Sequence, residues 1–224
     1  MNKKVSVIMS VCNEEKKVSA SIESILNQTY KNFEFLILDD GSTDSTYQIL
    51  KDYENKDQRI KIYQNTENIG LTKSLNFLAS KSKGSILARQ DADDLSLKNR
   101  FSVQTLYLDK FDAVVSRARI QGTNNKVPGF SFYIPSKIIR RFKNPHIHGT
   151  LMINKKIFQS IGGYDENFKY AQDFKLFIDF WRDGYKVKNL NEVLYILNMK
   201  DNISTKFKKE QEVYFRLANS SRFK

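Results

Sequence analysis

In the first half of this chain, short apolar runs suited to buried strands alternate with segments of helical spacing, and two of the runs end abruptly in aspartates. Lys4–Val11 reads as a first strand. Lys16–Asn27 then sets Val18, Ile22, Ile25 and Leu26 on one helical face. Phe33–Leu38 is a second strand that runs into Asp39-Asp40-Gly41-Ser42, where Ser42 or Thr43 is expected to cap a helix reaching Glu54, with Tyr47, Leu50 and Tyr53 inward. Ile60–Tyr63 is a third strand, Asn68-Ile69-Gly70 a turn, and Leu71–Ser80 a helix with Leu71, Leu75 and Leu78 inward. Ser85–Ala88 is a fourth strand and closes at Arg89-Gln90-Asp91-Ala92-Asp93-Asp94. This alternation predicts an α/β fold: a mostly parallel central sheet flanked by helices, with ligands bound beyond the carboxyl ends of the strands.

The second half is less regular. Asp112–Arg119 and Gly149–Ile153 read as strands, Gly122–Gly129 as a polar turn or hairpin tip, and Lys155–Ile161 as a short helix. Gln172–Asp183 is a helix with Phe174, Phe177, Ile178 and Trp181 in the core. Val187–Leu190 and Val193–Leu197 follow as two short strands, and Lys206–Leu217 as a basic amphipathic helix using Phe207, Val213, Tyr214 and Leu217. No linker interrupts the chain. The expected organisation is one domain over 1–204, with a nucleotide-sugar-binding half (1–110) and an acceptor and catalytic-base half (111–204), followed by a basic tail over 205–224.

Composition excludes several classes. No apolar run approaches the roughly 20 residues of a membrane-spanning helix. The single cysteine, Cys12, cannot form an intrachain disulfide or a cysteine-based zinc site. A cytoplasmic location is expected. The net charge of +12 is uneven, since Lys110–Lys156 holds ten Lys and Arg against the single acid Asp112. Such a surface attracts phosphate groups, and peripheral attachment to the inner face of an anionic membrane is the expectation drawn from it. No nucleic-acid-binding motif accompanies the charge, so nucleic acid is not an expected partner.

A parallel sheet brings Asp39, Asp40, Asp91, Asp93 and Asp94 to one edge. Unpaired, they would raise one another's pKa, and a divalent cation with a preference for oxygen ligands, Mg²⁺ or Mn²⁺, would resolve the conflict. An isolated Asp-x-Asp is ordinary turn chemistry. After a buried strand, and across from a second acidic pair, it is a candidate site.

These residues carry a resemblance. Val5–Glu14 (VSVIMSVCNE), Ser24–Tyr30 (SILNQTY), Phe35–Asp44 (FLILDDGSTD), Asn68-Ile69-Gly70 and Ala88–Asp94 (ARQDADD), followed by Ile161–Glu166 (IGGYDE) and Ala171–Leu176 (AQDFKL), resemble a family 2 glycosyltransferase in order and spacing over nearly the whole chain. The resemblance implies a GT-A fold, inversion at the transferred sugar, a UDP-sugar donor and a Mn²⁺ or Mg²⁺ ion. The acceptor it implies is a hydroxyl of a glycan or lipid-linked glycan, as in surface-polysaccharide assembly. Residue by residue, it implies that Val11, Asn13 and Glu14 line the nucleotide pocket, that Asp39 accepts from the uracil N3–H, and that Asn68 and Gly70 approach the nucleotide. Asp91 would meet the ribose or sugar, Asp93 would hold the metal on the diphosphate, and Asp94 would support them from behind. Asp173 matches the catalytic base, with Gln172 beside it, and His148 falls close to the donor phosphate or the acceptor.

Three departures stand out. Where the family often carries a late histidine, this chain reads Leu194–Ser204 (LYILNMKDNIS), with Lys200 or Asn198 nearest the slot. Cys12 replaces a usual tyrosine. The chain also ends shortly beyond, so it is expected to be either a minimal member or one lacking a C-terminal segment. Sugar nucleotidyl transfer, a competing class, needs a glycine-rich loop after the first strand, and Cys12-Asn-Glu-Glu-Lys16 has no glycine. A catalytically silent nucleotide-binding relative is the second reading, and turnover separates it from the first.

Overall fold

Four central strands lie in the order β3 (Ile60–Asn65), β2 (Phe33–Asp40), β1 (Val5–Val11), β4 (Ile86–Arg89), all parallel, in a computed structural model that describes residues 3–199 and 207–220. The sheet continues through β8 (Met152–Asn154), β6 (Ala113–Ile120), β9 (Val187–Leu197) and β5 (Leu95–Ser96), with β7 (Lys126–Val127) paired to β6. β8 runs antiparallel to both β4 and β6, while β6 and β9 are parallel.

Each central strand sends alternate side chains to opposite faces, as the period of two requires. Val5, Val7, Met9 and Val11 join Phe33, Phe35 and Ile37 on one face, under α1 (Val18–Leu26) and α2 (Thr46–Lys56). Ile8, Leu36, Leu38 and Leu87 face the other way, against α3 (Leu71–Lys81), α6 (Lys155–Ser160) and α7 (Gln172–Arg182). Stepping outward from β1 to β3 puts α1 and α2 on one face. Returning past β1 to β4 puts α3 on the other, as crossovers of one hand dictate. The strand order therefore reverses between β1 and β4, which opens a crevice at their carboxyl ends.

The structure departs from the sequence expectations at specific places. Neither Ser42 nor Thr43 caps α2, which begins at Thr46 with the Asp44 carboxylate accepting from the Thr46 N–H at 2.9 Å. Both are instead tied to Asn13, whose N–H donates to Ser42 Oγ and whose Oδ1 accepts from the Thr43 N–H. The strand expected over Gly149–Ile153 starts only at Met152, because His148–Thr150 forms a 3₁₀ turn. There Thr150 Oγ1 replaces a ladder partner, accepting from the Ser116 N–H and donating to Ile147 O. The two short strands expected at 187–197 are one, β9, with an irregular register opposite Ser116–Arg117 that leaves Asn191 and Glu192 unpaired with β6. A short helix not anticipated, α4 (Arg100–Thr105), packs Phe101 into the first core layer. A four-residue helix, α5 (Ser136–Ile139), follows β7.

The last described helix, α8 (Lys208–Ser220), docks on α7 through Phe215, stacked 4.3 Å from Phe174, and through Tyr214 and Ala218. Of the apolar face expected for it, Val213 and Leu217 point outward instead. Among the described residues no helix is long and apolar enough to cross a membrane.

Candidate active site

The crevice between β1 and β4 is a cavity of about 470 Å³. Ser10, Val11, Cys12 and Glu14 line it from the end of β1, Asp40 from β2, and Asn68, Gly70 and Leu71 from the start of α3. Arg89, Asp91, Ala92 and Asp93 come from the end of β4, and Lys169, Tyr170 and Gln172 from the approach to α7. Phe207, just before the C-terminal helix, and Gln211 within it close the cavity, with the Phe207 ring 5.2 Å from Tyr170.

Of the residues singled out in the sequence, Val11, Glu14, Asn68, Gly70, Asp91, Asp93 and Gln172 share this cavity. Asn13, Asp39, Asp94, His148 and Asp173 do not line it, and Lys200 lies outside the described residues.

The two acids ending β2 have different jobs. Asp40 organises the 65–70 loop, accepting from Asn65 Nδ2 and from the N–H groups of Ile69 and Gly70 at 2.8–3.0 Å. Gly70 has φ +95°, a conformation that lets its N–H turn to that carboxylate without a Cβ penalty. Asp39 is fully buried; its Oδ2 has long contacts of 3.4 Å from the Ser42 N–H and Gln64 Nε2, and its Oδ1 has no hydrogen-bond partner.

At the end of β4 the acids are crowded. Asp91 pairs with the buried guanidinium of Arg89, and its N–H donates to Tyr195 Oη at 3.1 Å. The β9 irregularity delivers Tyr195 there. Burial, and then repulsion from Asp91 and Glu14, push the Asp93 carboxyl up to about 6. Lys17 Nζ stands 3.9 Å from its Oδ2 and 3.3 Å from Glu14 Oε2, and Asn198 Nδ2 donates to the same Asp93 oxygen at 3.2 Å. Asp94 is buried behind, accepting from the Asn198 N–H at 2.7 Å, and burial raises its pKa further. Asn198 thus stands beside both carboxylates at the slot where the histidine is missing.

Asp93 is an oxygen donor whose charge is poorly compensated, which suits a cation. Among the described residues no three His, Cys, Asp or Glu side chains form a ready-made metal cage. A Mg²⁺-type ion is ordinarily shared by one or two carboxylates, waters and substrate phosphates, and Asp93 is a carboxylate of that kind.

Asp173 stands in the first turn of α7, and its Oδ2 accepts from Asn144 Nδ2 at 2.7 Å. The preceding Ala171 has φ +51°, and Asn13 has φ +54°; these are the described non-glycine residues in the left-handed region, and each adjoins the cleft. Asparagine tolerates that conformation readily, whereas alanine is strained by it. His148 Nε2 lies 2.6 Å from Tyr164 Oη, and burial, then the charge of Arg89, hold its pKa below the usual histidine range. His146 packs on Phe177 and Trp181 and is a core residue.

Sequence reasoning did not assign Arg89, Lys17, Lys169, Tyr170, Asn144, Tyr195 or the two tail residues to the site. Arg89 lies inside the Ala88–Asp94 motif and Tyr195 inside the Leu194–Ser204 stretch. The others reach the cleft through tertiary contacts that local spacing does not encode.

Comparison with known proteins places this arrangement. Residues 6–164 match the pattern of Glycosyl transferase family 2. The chain is 37% identical over 199 residues to the putative glycosyltransferase EpsE of Bacillus subtilis strain 168, covering 86% of this chain and 72% of that protein. It is 36% identical over 201 residues to the O-antigen biosynthesis glycosyltransferase WbnJ of Escherichia coli, covering 85% and 77%. In fold it resembles Staphylococcus aureus TarS 1-349 in complex with UDP-GlcNAc, with TM-score 0.80, 21% identity, and 96% and 65% coverage. It also resembles the mannosyltransferase PcManGT from Pyrobaculum calidifontis in complex with GDP-Man and Mn²⁺, with TM-score 0.79, 19% identity, and 98% and 64% coverage. The chain therefore spans under two thirds of the length of these two solved chains.

Proposed function

The chain belongs to glycosyl transferase family 2, and from that premise we propose that it moves a sugar, with inversion, from a UDP-sugar to a hydroxyl of a glycan or lipid-linked acceptor. The observation that carries this is the crevice itself: Asp91 and Asp93 end β4 on one side of a 470 Å³ cavity, and Gln172, next to Asp173, lies on another wall. The nucleotide-sugar complexes of the two structural neighbours support a donor of this class, and the Mn²⁺ in one of them supports a divalent ion.

In this reading the nucleotide lies across the end of β1, against Val11, Glu14, Asn68 and Gly70. Asp39 Oδ1, buried without a partner, is the acceptor that the uracil N–H would satisfy. Asp91 orients the ribose or sugar, fixed by Arg89. Asp93 would hold the Mn²⁺ or Mg²⁺ ion, with Asn198 and Asp94 supporting that carboxylate. When bound, the ion supplies Lewis-acid stabilisation to the diphosphate leaving group. Arg89 from the end of β4 and Lys169 from the approach to α7 add positive charge to the cavity lining.

Asp173 takes the proton of the acceptor hydroxyl as that oxygen bonds to the sugar's anomeric carbon and the bond to the diphosphate oxygen breaks, releasing UDP. General-base help of this kind is worth about 10²–10⁴-fold. Asn144 fixes one oxygen of the carboxylate, leaving the other to face the acceptor.

Calorimetric titration with UDP, with and without Mn²⁺, tests the donor site in the native chain and in Asp93→Ala. Metal-dependent binding that the substitution abolishes is the expected result. A folded sample that binds no UDP would remove the donor assignment. Turnover on a UDP-sugar panel, abolished in Asp173→Asn with UDP affinity kept, then separates an enzyme from a silent binder.

A further inference from the structure

Between Asp112 and Asp165 the chain carries no acidic residue. Within that stretch, residues 130–142 leave four large apolar side chains in solvent: Phe130 at 82% exposure, Phe142 at 75%, Tyr133 at 66% and Ile138 at 52%. Single exposed apolar residues are ordinary, but four in one short segment make a patch that calls for a partner.

The segment is anchored. Lys126–Val127 is paired to β6, Ile139 is buried, and the guanidinium of Arg117 lies 5.1 Å from the Phe132 ring. Arg140 sits 5.0 Å over Trp181, and Asn189 Nδ2 donates to Ser136 Oγ. Folding thus fixes a ridge whose anchors face the body while its aromatic tips face water. Lys126, Arg141 and Lys143 are exposed along the same ridge.

We propose that residues 126–143 dock on an anionic lipid bilayer, with Phe130, Tyr133, Ile138 and Phe142 entering the interface and Lys126, Arg141 and Lys143 meeting headgroup phosphates. Aromatic side chains are suited to the headgroup level, and basic residues within a Debye length of it are attracted by the leaflet's negative potential. Charge selects this occupant over a second copy of the chain. Pairing the ridge with itself would oppose its own cations, with no acid in the segment to answer them. The ridge also leads directly to the base: Phe142 is two residues before Asn144, which holds Asp173. Docking therefore brings the first turn of α7 toward the headgroup plane, where a lipid-linked hydroxyl would be presented. The docking surface itself requires no donor, so it stands or falls apart from sugar transfer.

The test is co-sedimentation of the chain with vesicles of phosphatidylcholine alone or mixed with phosphatidylglycerol. Binding is expected only with phosphatidylglycerol and should weaken as salt rises. Arg141→Gln with Lys143→Gln should reduce the partition coefficient about 25-fold, at about fivefold per cation. Phe130→Ser with Phe142→Ser should reduce it about 10- to 100-fold, from the apolar area kept out of the interface. Both double variants alter exposed side chains, so their melting temperatures and UDP titrations should match the native chain. Phe142→Trp should show a blue-shifted emission with anionic vesicles. Sedimentation indifferent to phosphatidylglycerol overturns the proposal, as does an aromatic double variant that binds like the native chain. If that variant instead converts a dimer to a monomer with vesicle binding intact, the face is a contact between copies and the lipid assignment fails.

Discussion

Asn144 Nδ2 donates a 2.7 Å hydrogen bond to Asp173 Oδ2, joining the loop before the 3₁₀ turn to the first turn of α7. Asn144 also receives the His146 N–H on its own Oδ1 at 3.0 Å, so its amide is held from both ends. Asn144→Ala removes that hold without removing the carboxylate. The expected result is a fall in kcat of about 10–100-fold with the donor KM nearly unchanged. Steady-state kinetics on the best donor measures it; a rise in KM with kcat preserved would place Asn144 in donor binding instead.

Gly149 leaves space that no other residue could. A Cβ there would stand 2.6 Å from Tyr195 Oη and 2.7 Å from Asp91 Oδ2. Gly149→Ala should push Asp91 from its place beside Arg89, weakening UDP binding by about tenfold or more while costing about 1–3 kcal/mol of stability. Titration and thermal unfolding of the same sample read the two effects separately. Unchanged UDP affinity would show that the Asp91 carboxylate is not a donor contact.

Arg100 is the largest fully buried side chain among those described, and it links the end of β4 to the rest of the core. Its guanidinium donates to Gln104, Gln90 and Ser96 side chains and to the carbonyls of Arg89 and Leu151, and burial pushes its pKa down to about 10. Arg100→Met should cost about 3–5 kcal/mol, because several buried acceptors lose their donor. For a chain of this size that is a drop of about 10 °C in melting temperature. A loss below about 3 °C would contradict the role assigned to it.

Histidine burial gives a pH dependence of defined sign. His146, packed against Phe177 and Trp181, is pushed by burial down to about 3, against 6.5 for an unperturbed histidine. Below about 6.5 the unfolded chain takes up a proton that the folded chain refuses. The stability is complete above 6.5 and is lost as pH falls toward 3, at up to about 1.4 kcal/mol per pH unit. His148, also depressed, acts in the same direction. His146→Phe should flatten the fall of melting temperature between pH 6.5 and 5. Equal slopes in the two proteins would remove this account.

The first half of the fold was legible because a parallel sheet writes itself into sequence: β1, β2 and β4 are short, largely apolar runs, and β2 and β4 stop at charged residues. The acidic strand ends located the crevice for the same reason. The second half was harder to read. The 3₁₀ turn at His148–Thr150 depends on Thr150 reaching Ser116, and the irregular stretch of β9 depends on its register with β6. The inward face of α8 is set by Phe174 and Phe168 of the body, which is why Tyr214 and Phe215 rather than Val213 and Leu217 turn in. Asp39 and Asp40 illustrate the limit within the site. Adjacent and chemically identical, they differ because Asp40 gathers two close N–H groups of the 65–70 loop, whereas Asp39 has only long contacts of 3.4 Å.

The cleft wall supplied by Phe207 and Gln211 has a thermodynamic corollary. A ligand that touches this segment only in its docked position must stabilise that docking by mass action, and the docked helix in turn must raise the ligand's affinity by the same factor. Amide exchange in residues 208–220 should therefore slow with nucleotide occupancy, making the end farthest in sequence from β1 a gauge of what β1 holds.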